Sequence, residues 1–260
     1  MRREFGEYII DNPLVATSNA KLDHADRDGQ AVVIKTPTTT PGTFHLQREI
    51  SILDQLRNEN IPNVIKLDGY GSIGPWTPFL ATEFQSGGTL GDVLKSTPDT
   101  EQLKRYMSVL GNTAFALTAL HDINIIHCDV KPSNVFAETG YLADFDGSIR
   151  YAEIDYASQY TRCTYGQCAP ELYEFKPSFA SDCWGLGNTA YQLITGQSAF
   201  GNPENSKVAS RIVQNAPKYR PYELNKIIPS SVSDVVYESL NPDPNNRPSA
   251  EDMYAVFGEN

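Results

Sequence analysis

Asp129, Lys131 and Asn134 lie within six consecutive residues, and Asp144 follows Asp129 by fifteen. A carboxylate at Asp129 can accept or orient a hydroxyl proton, and an ammonium at Lys131 can stabilise a migrating anionic group. Asn134 and Asp144 supply the hard oxygen ligands that Mg2+ prefers. Far upstream, Lys35 precedes Glu49 by fourteen residues, so one carboxylate could orient an ammonium that holds phosphate oxygens. Phosphoryl transfer asks for this equipment: a triphosphate held in line, its charge neutralised by metal, and an attacking hydroxyl put in place. Singly, each residue has an ordinary explanation. A loop Asp is commonly a turn former, a lone Lys a solvated charge, and Lys35–Glu49 an ion pair worth under ~1 kcal/mol. Their order along the chain is what gives the set weight.

That order extends to longer motifs. His127-Cys128-Asp129-Val130-Lys131-Pro132-Ser133-Asn134 resembles the H-R-D-x-K-x-x-N catalytic loop of the eukaryotic-type serine/threonine protein kinases. Asp144-Phe145-Asp146-Gly147 resembles their D-F-G, Ala169-Pro170-Glu171 their A-P-E, and Val32-Val33-Ile34-Lys35 their V-A-I-K. The resemblance runs from about Tyr8 to Phe257 and implies an α+β, bilobal protein-kinase-like fold. It implies a small β-rich N-lobe with one helix over residues 1–86, and a larger, mainly helical C-lobe over 87–260.

The resemblance also implies roles. Asp129, Lys131, Asn134 and Thr164 would be catalytic, Thr164 bonding both Asp129 and Lys131, while Asn134 and Asp144 would hold Mg2+ or Mn2+. ATP would be bound by Lys35, oriented by Glu49, and by the hinge Thr82-Glu83-Phe84-Gln85. There Thr82 is the gatekeeper, the main chain of Glu83 and Gln85 meets adenine, and Phe136 lines the slot. Glu171 and Arg247 would form a buried ion pair, and Asp182, within Ser181–Gly187, would hold the catalytic-loop backbone. Leu53, Leu67, His127 and Phe145 match the residues that stack in the active kinase conformation. Lys131, two residues after Asp129, is the serine/threonine pattern, so the expected substrate is a protein or peptide hydroxyl. The rival is a pseudokinase acting as a nucleotide- or protein-binding scaffold, against which stands the retention of Lys35, Asp129 and Asp144. A small-molecule phosphotransferase is disfavoured by the A-P-E and Arg247 elements.

Four features depart from the family pattern. The stretch Asp11–Lys21, where a glycine-rich loop should cover the phosphates, has no glycine. Asp146 replaces the glycine of D-F-G, where its tolerance of positive φ should preserve the turn. Cys128 replaces the arginine that pairs with an activation-segment phosphate, a non-RD pattern, so Tyr151, Ser158, Tyr160, Thr161 and Thr164 lose their main clamp as acceptors. Arg150 and Arg162 remain as local partners. Val33 and Phe136 narrow the adenine slot.

The elements that must position these groups are partly readable. Ala31–Ile34, Asn63–Leu67 and Pro78–Thr82 read as strands punctuated by Gly69, Gly71, Gly74 and Pro75. Leu46, Ile50, Leu53 and Leu56 mark a helix, as do Leu103, Met107, Leu110, Ala114 and Leu117. Ser231 with Asp234 and Ser249 with Asp252 predict two later helix starts; Asn241–Pro248 reads as a loop and Thr36–Thr43 as a mobile connection. The lobe boundary is expected near Phe84–Gly88.

A chain of 260 residues, 40% hydrophobic and 20% charged, can bury one sizeable core or two lobes. Its net charge of −11 is the wrong sign for nucleic acid or anionic lipid and, with Asp92, leans toward basic peptides. No apolar run suggests a membrane span, and no signal-like core follows Met1-Arg2-Arg3-Glu4. Cys128, Cys163, Cys168 and Cys183 lack paired metal spacing, so reduced thiols in a soluble, cytoplasmic monomer are expected.

Overall fold

The computed structural model describes residues 3–94, 98–157, 163–197, 199–200, 224 and 228–259. Two compact units emerge: residues 1–61 with 65–86, and residues 62–64 with 87–260.

The first unit is a six-stranded antiparallel sheet with one long helix. Its strands are β1 (Arg3–Phe5), β2 (Tyr8–Ala16), β3 (Ala20–Arg27), β4 (Gln30–Pro37), β5 (Leu67–Ile73) and β6 (Thr77–Glu83), in the order β1-β2-β3-β4-β6-β5. Asp28 and Gly29, both at positive φ, form the two-residue turn between β3 and β4, a geometry whose twist matches that of the strands it joins. Tyr8, Ile10, Ala25, Val32, Ile34, Phe79 and Ala81 form the sheet's core. Helix α1 (Thr40–Glu59) starts at Thr39, whose hydroxyl accepts the Gly42 N–H, and ends at Asn60 in the left-handed region. It buries Leu46, Glu49, Ile52, Leu53 and Leu56.

Two expectations need correction here. Asn63–Leu67 is not a strand: Val64 makes one isolated bridge to Leu142, and the strand begins at Leu67. Gly69 and Gly71 are inside β5 because aromatic groups lie on them. A Cβ at Gly69 would come 2.3 Å from the Tyr8 hydroxyl, and one at Gly71 would come 2.8 Å from the Phe79 ring. Thr36–Thr43 is not a loose connection either. Its first two residues end β4, Thr39 caps α1, and Pro41 sits in the first helical turn, where a missing N–H costs nothing.

In the second unit, α2 (Leu90–Val93) and α3 (Thr100–Asp122) precede a two-stranded ribbon, β7 (Ile125–Ile126) with β8 (Ile149–Arg150). Then come α4 (Ile154–Ala157), α5 (Phe179–Thr195), α6 (Ser230–Ser239) and α7 (Ala250–Gly258). Helix α5 is buried along most of its length and carries the core residues Trp184, Leu186, Ala190, Leu193 and Ile194. Against it, α3, α6 and α7 pack. Helix α7 starts with the expected Ser249–Asp252 capping box. Helix α6 starts two residues earlier than expected, at Ser230, with Pro229 and not Ser231 at the cap. Asn241–Pro248 is a loop containing one tight turn at Pro244–Asn246. Among the described residues, no helix is long and apolar enough to cross a membrane.

Candidate functional site

In the first unit, Lys35 sits on β4 between Leu22 of β3 and Leu80 of β6. Its Nζ donates to Glu49 Oε2 across 2.7 Å, and Glu49 is 3% exposed. Thr82 lies near the end of β6, opposite Val33 on one side and Leu67 on the other. The Glu83 side chain has a structural role that its spacing in the sequence does not signal. Its carboxylate accepts the Lys66 N–H at 3.0 Å, while its own N–H donates to the Lys66 carbonyl at 3.0 Å. That reciprocal pair fixes the backbone at the head of the Glu83–Gln85 segment.

The glycine-free stretch forms the β2–β3 hairpin. Thr17 closes its turn, accepting the Ala20 N–H at 3.1 Å. The tip is tied to the entry of α1. Thr38 donates its N–H to the Asn19 carbonyl at 2.9 Å and its hydroxyl to the Ser18 carbonyl at 3.0 Å. The Thr39 hydroxyl donates to Asn19 Oδ1 at 3.2 Å. These bonds fix the hairpin tip against the start of α1.

In the second unit, the site is built around Asp182 on α5. Fully buried, Asp182 accepts the backbone N–H groups of His127 and Cys128, each at 2.8 Å, and contacts His121 Nε2 at 3.0 Å. These bonds hold Cys128 at φ 70°, a conformation that costs a residue with a Cβ of order 1–3 kcal/mol. The turn so produced brings Asp129, Lys131, Asn134 and Thr164 together. Asp129 Oδ1 accepts the Thr164 hydroxyl at 3.0 Å and the Thr164 N–H at 3.1 Å. Its Oδ2 accepts Lys131 Nζ at 2.5 Å and Asn134 Nδ2 at 3.3 Å. Lys131 also donates to the Thr164 hydroxyl at 2.8 Å, closing a triangle.

His127 is fully buried and edge-on to Phe145, with ring centroids 4.8 Å apart. Its Nε2 donates to the Ala143 carbonyl at 3.1 Å, and its Nδ1 accepts the Asp129 N–H at 3.3 Å. Burial pushes its pKa below the ordinary value, so the ring is neutral.

The D-F-G-like turn carries its positive φ at Asp144, φ 64°, and not at Asp146. Asp146 lies inside the tight turn Phe145–Gly147, where a side chain is accommodated without left-handed strain. The expectation that Asp146 must tolerate positive φ is therefore corrected. Asn134 donates its amide nitrogen to the Asp129 carbonyl at 2.9 Å, which assigns its Oδ1 as the atom left for a cation. Asn134 Oδ1 and the Asp144 carboxylate are both hard oxygen donors, the ligand type that Mg2+ prefers. Among the described residues, no group of three or more His, Cys, Asp or Glu could hold a metal. Phe136 is half-buried, its backbone paired with Thr89 and Tyr141.

Where the family pattern has an arginine, Cys128 packs with Ile126 and Ile149, joined by Ile154 and Phe179. Phe179 stacks on Tyr151 at 5.4 Å and lies 4.8 Å from His121. The segment after Asp144 is thus held by apolar and aromatic contact. Arg150 pairs with Glu153 at 3.3 Å. Ser158, Tyr160, Thr161 and Arg162 lie outside the described residues.

Further on, Glu171 receives Arg247 bidentately at 2.7 and 2.9 Å, and accepts the Ser181 hydroxyl at 2.7 Å. The Arg247 guanidinium also lies 4.9 Å over Trp184. Asp92, read as a lure for basic peptides, accepts both the N–H and the hydroxyl of Thr89 at 2.8 Å and so caps α2.

Comparison with known sequences gives a consistent result. Residues 18–256 match the protein kinase domain family. A probable serine/threonine-protein kinase of Dictyostelium discoideum is 31% identical over 213 residues, 79% of this chain and 40% of that protein. The mouse serine/threonine-protein kinase Nek4 is 27% identical over 241 residues, 87% of this chain and 29% of that protein. An Aurora kinase from Dictyostelium discoideum is 29% identical over 232 residues, 85% of this chain and 56% of that protein. The chain thus spans between 29% and 56% of the length of these relatives.

Proposed function

Because the chain belongs to the protein kinase family, we propose that it is a serine/threonine protein kinase, transferring the γ-phosphoryl group of ATP to protein hydroxyls. The observation that carries this reading is the closed triangle of Asp129, Lys131 and Thr164. It presents a carboxylate that can take or orient the substrate proton, beside an ammonium that can follow the phosphoryl group. Thr164 holds the two in register. Lys35, steered by buried Glu49, binds the α- and β-phosphates, and the main chain of Glu83 and Gln85 binds adenine beside Thr82 and Phe136. Asn134 and Asp144 hold Mg2+ or Mn2+, which supplies charge neutralisation to the phosphates.

Retention of the whole set weighs against a scaffold that has lost catalysis. Protein substrates are the expected partners, and the cytoplasm, a reducing compartment, suits four cysteines of which none is in a disulfide. Phosphate incorporation into a peptide array, with ATP and Mg2+, tests the assignment. Wild type should label Ser/Thr peptides and Asp129→Asn should not; equal labelling by both would overturn it.

A further inference from the structure

Cys163 and Cys168 flank the turn that carries Thr164, and their Sγ atoms are 2.7 Å apart. The backbone between them is already folded back on itself. The Thr164 carbonyl accepts the N–H groups of Gln167 at 3.0 Å and Cys168 at 3.1 Å, Gly166 supplies the left-handed residue at φ 77°, and the Gly166 N–H is held by the Tyr173 hydroxyl at 3.0 Å. A bridge between these sulfurs requires closure from 2.7 Å toward the ~2.05 Å of a disulfide.

We propose that Cys163 and Cys168 are a redox pair, oxidised reversibly by peroxide to an intramolecular disulfide that staples the Thr164 turn in the conformation seen here. Cys163 is the more exposed of the two and meets the oxidant first; Cys168, 5% exposed, resolves it. In the first step Cys163 Sγ loses two electrons to become the sulfenic acid, and the peroxide is reduced to water. In the second, Cys168 Sγ attacks Cys163 Sγ, the S–S bond forms, the S–O bond breaks, and the hydroxyl leaves as water with the Cys168 proton. Overall, two thiols and one hydrogen peroxide give one disulfide and two waters.

The other two cysteines are built differently. Cys128 and Cys183 are 2% and 1% exposed, so an oxidant in solvent does not reach their sulfurs. Only the 163/168 pair combines an accessible sulfur with a resolving sulfur in contact. Since Thr164 already touches Asp129 and Lys131 in this geometry, the bridge preserves that contact.

No Lys or Arg separates the two cysteines and Lys176 is followed by Pro177, so trypsin leaves Cys163, Cys168 and Cys183 on one peptide. The protein is treated with hydrogen peroxide, residual thiols are blocked with N-ethylmaleimide, and the digest is read by non-reducing mass spectrometry. The expected result is that peptide two hydrogens lighter with a single label, on Cys183, rising to three labels when dithiothreitol precedes the blocking step, with Cys128 labelled in both cases. The unfolding temperature of the oxidised protein should rise above that of the reduced protein, and Cys163→Ser and Cys168→Ala should each abolish both effects. Accumulation of Cys163 sulfinic acid beside an intact Cys168 thiol, or bridges between molecules, would overturn the proposal. Neither readout involves phosphoryl transfer, so its outcome is separate from that of the kinase assignment.

Discussion

The Thr164 hydroxyl donates to Asp129 Oδ1 at 3.0 Å while accepting from Lys131 Nζ at 2.8 Å, so one hydroxyl clamps both members of an ion pair that is already in direct contact at 2.5 Å. Thr164→Ala removes the hydroxyl that fixes the orientation of the Asp129–Lys131 pair, freeing Asp129 Oδ1 and one Lys131 proton from their partner. We expect a fall in kcat of at least tenfold, about 1.4 kcal/mol in the barrier, with KM for ATP little changed. Thr164→Ser should keep most of the rate. Asp129→Asn should lose roughly 100-fold or more, the range for losing a positioned base, with an unfolding temperature close to wild type. Steady-state kinetics of the three variants decide this.

Arg247 has a fully buried side chain and shares its charge with Glu171. Arg247→Ala leaves Glu171 without its counter-charge and removes the guanidinium from the face of Trp184, so a loss of about 3–5 kcal/mol is expected in urea unfolding. A loss under 1 kcal/mol would mean that Ser181 and solvent can satisfy Glu171 alone.

Apolar packing at Cys128 predicts indifference to dephosphorylation. Phosphatase treatment, with removal verified by mass spectrometry, should leave most of the activity in place. Phe179→Ala should lower it, since it unstacks Tyr151 and opens the cluster at Cys128, Ile126 and Ile149, at about 1 kcal/mol per lost ring pair. A tenfold loss on dephosphorylation would show that a basic residue has replaced the missing arginine.

His127 makes stability depend on pH. Its folded pKa lies below the ordinary 6.5, so as pH drops through 6.5 the unfolded chain takes up a proton that the folded chain refuses. This contribution is complete above 6.5 and is lost toward acid, at up to about 1.4 kcal/mol per pH unit. The unfolding temperature of wild type should therefore fall more steeply between pH 6.5 and 5 than that of His127→Gln. Parallel curves would show that the ring titrates freely.

The site was more legible than the scaffold. Asp129, Lys131 and Asn134 were readable from residue type and order and Thr164 from the family resemblance, and the structure places Lys131, Asn134 and Thr164 within hydrogen-bond reach of Asp129. Strands β1 to β3 were not read because β3, Ala-Lys-Leu-Asp-His-Ala-Asp-Arg, buries only Asp23 and Ala25 and shows no apolar alternation. The signal that could have found it was Asp28-Gly29, a two-residue hairpin turn. β5 was missed for the opposite reason: Gly69 and Gly71 look like punctuation until Tyr8 and Phe79 are seen resting on them. Nor could spacing reveal that Glu83 braces Lys66, or that Asp144 and not Asp146 takes the left-handed conformation, since both depend on backbone geometry.

The bonds from Thr38 and Thr39 to Ser18 and Asn19 have a mechanical meaning. Gly42, in the first turn of α1, lies so near the Asn19 carbonyl that an added Cβ would come within 2.2 Å of it. The hairpin tip and the helix that carries Glu49 are therefore bolted together at one joint. Swinging that helix drags the tip along, so the Lys35–Glu49 link and the height of the hairpin are a single degree of freedom, with Thr39 as the pin of the crank.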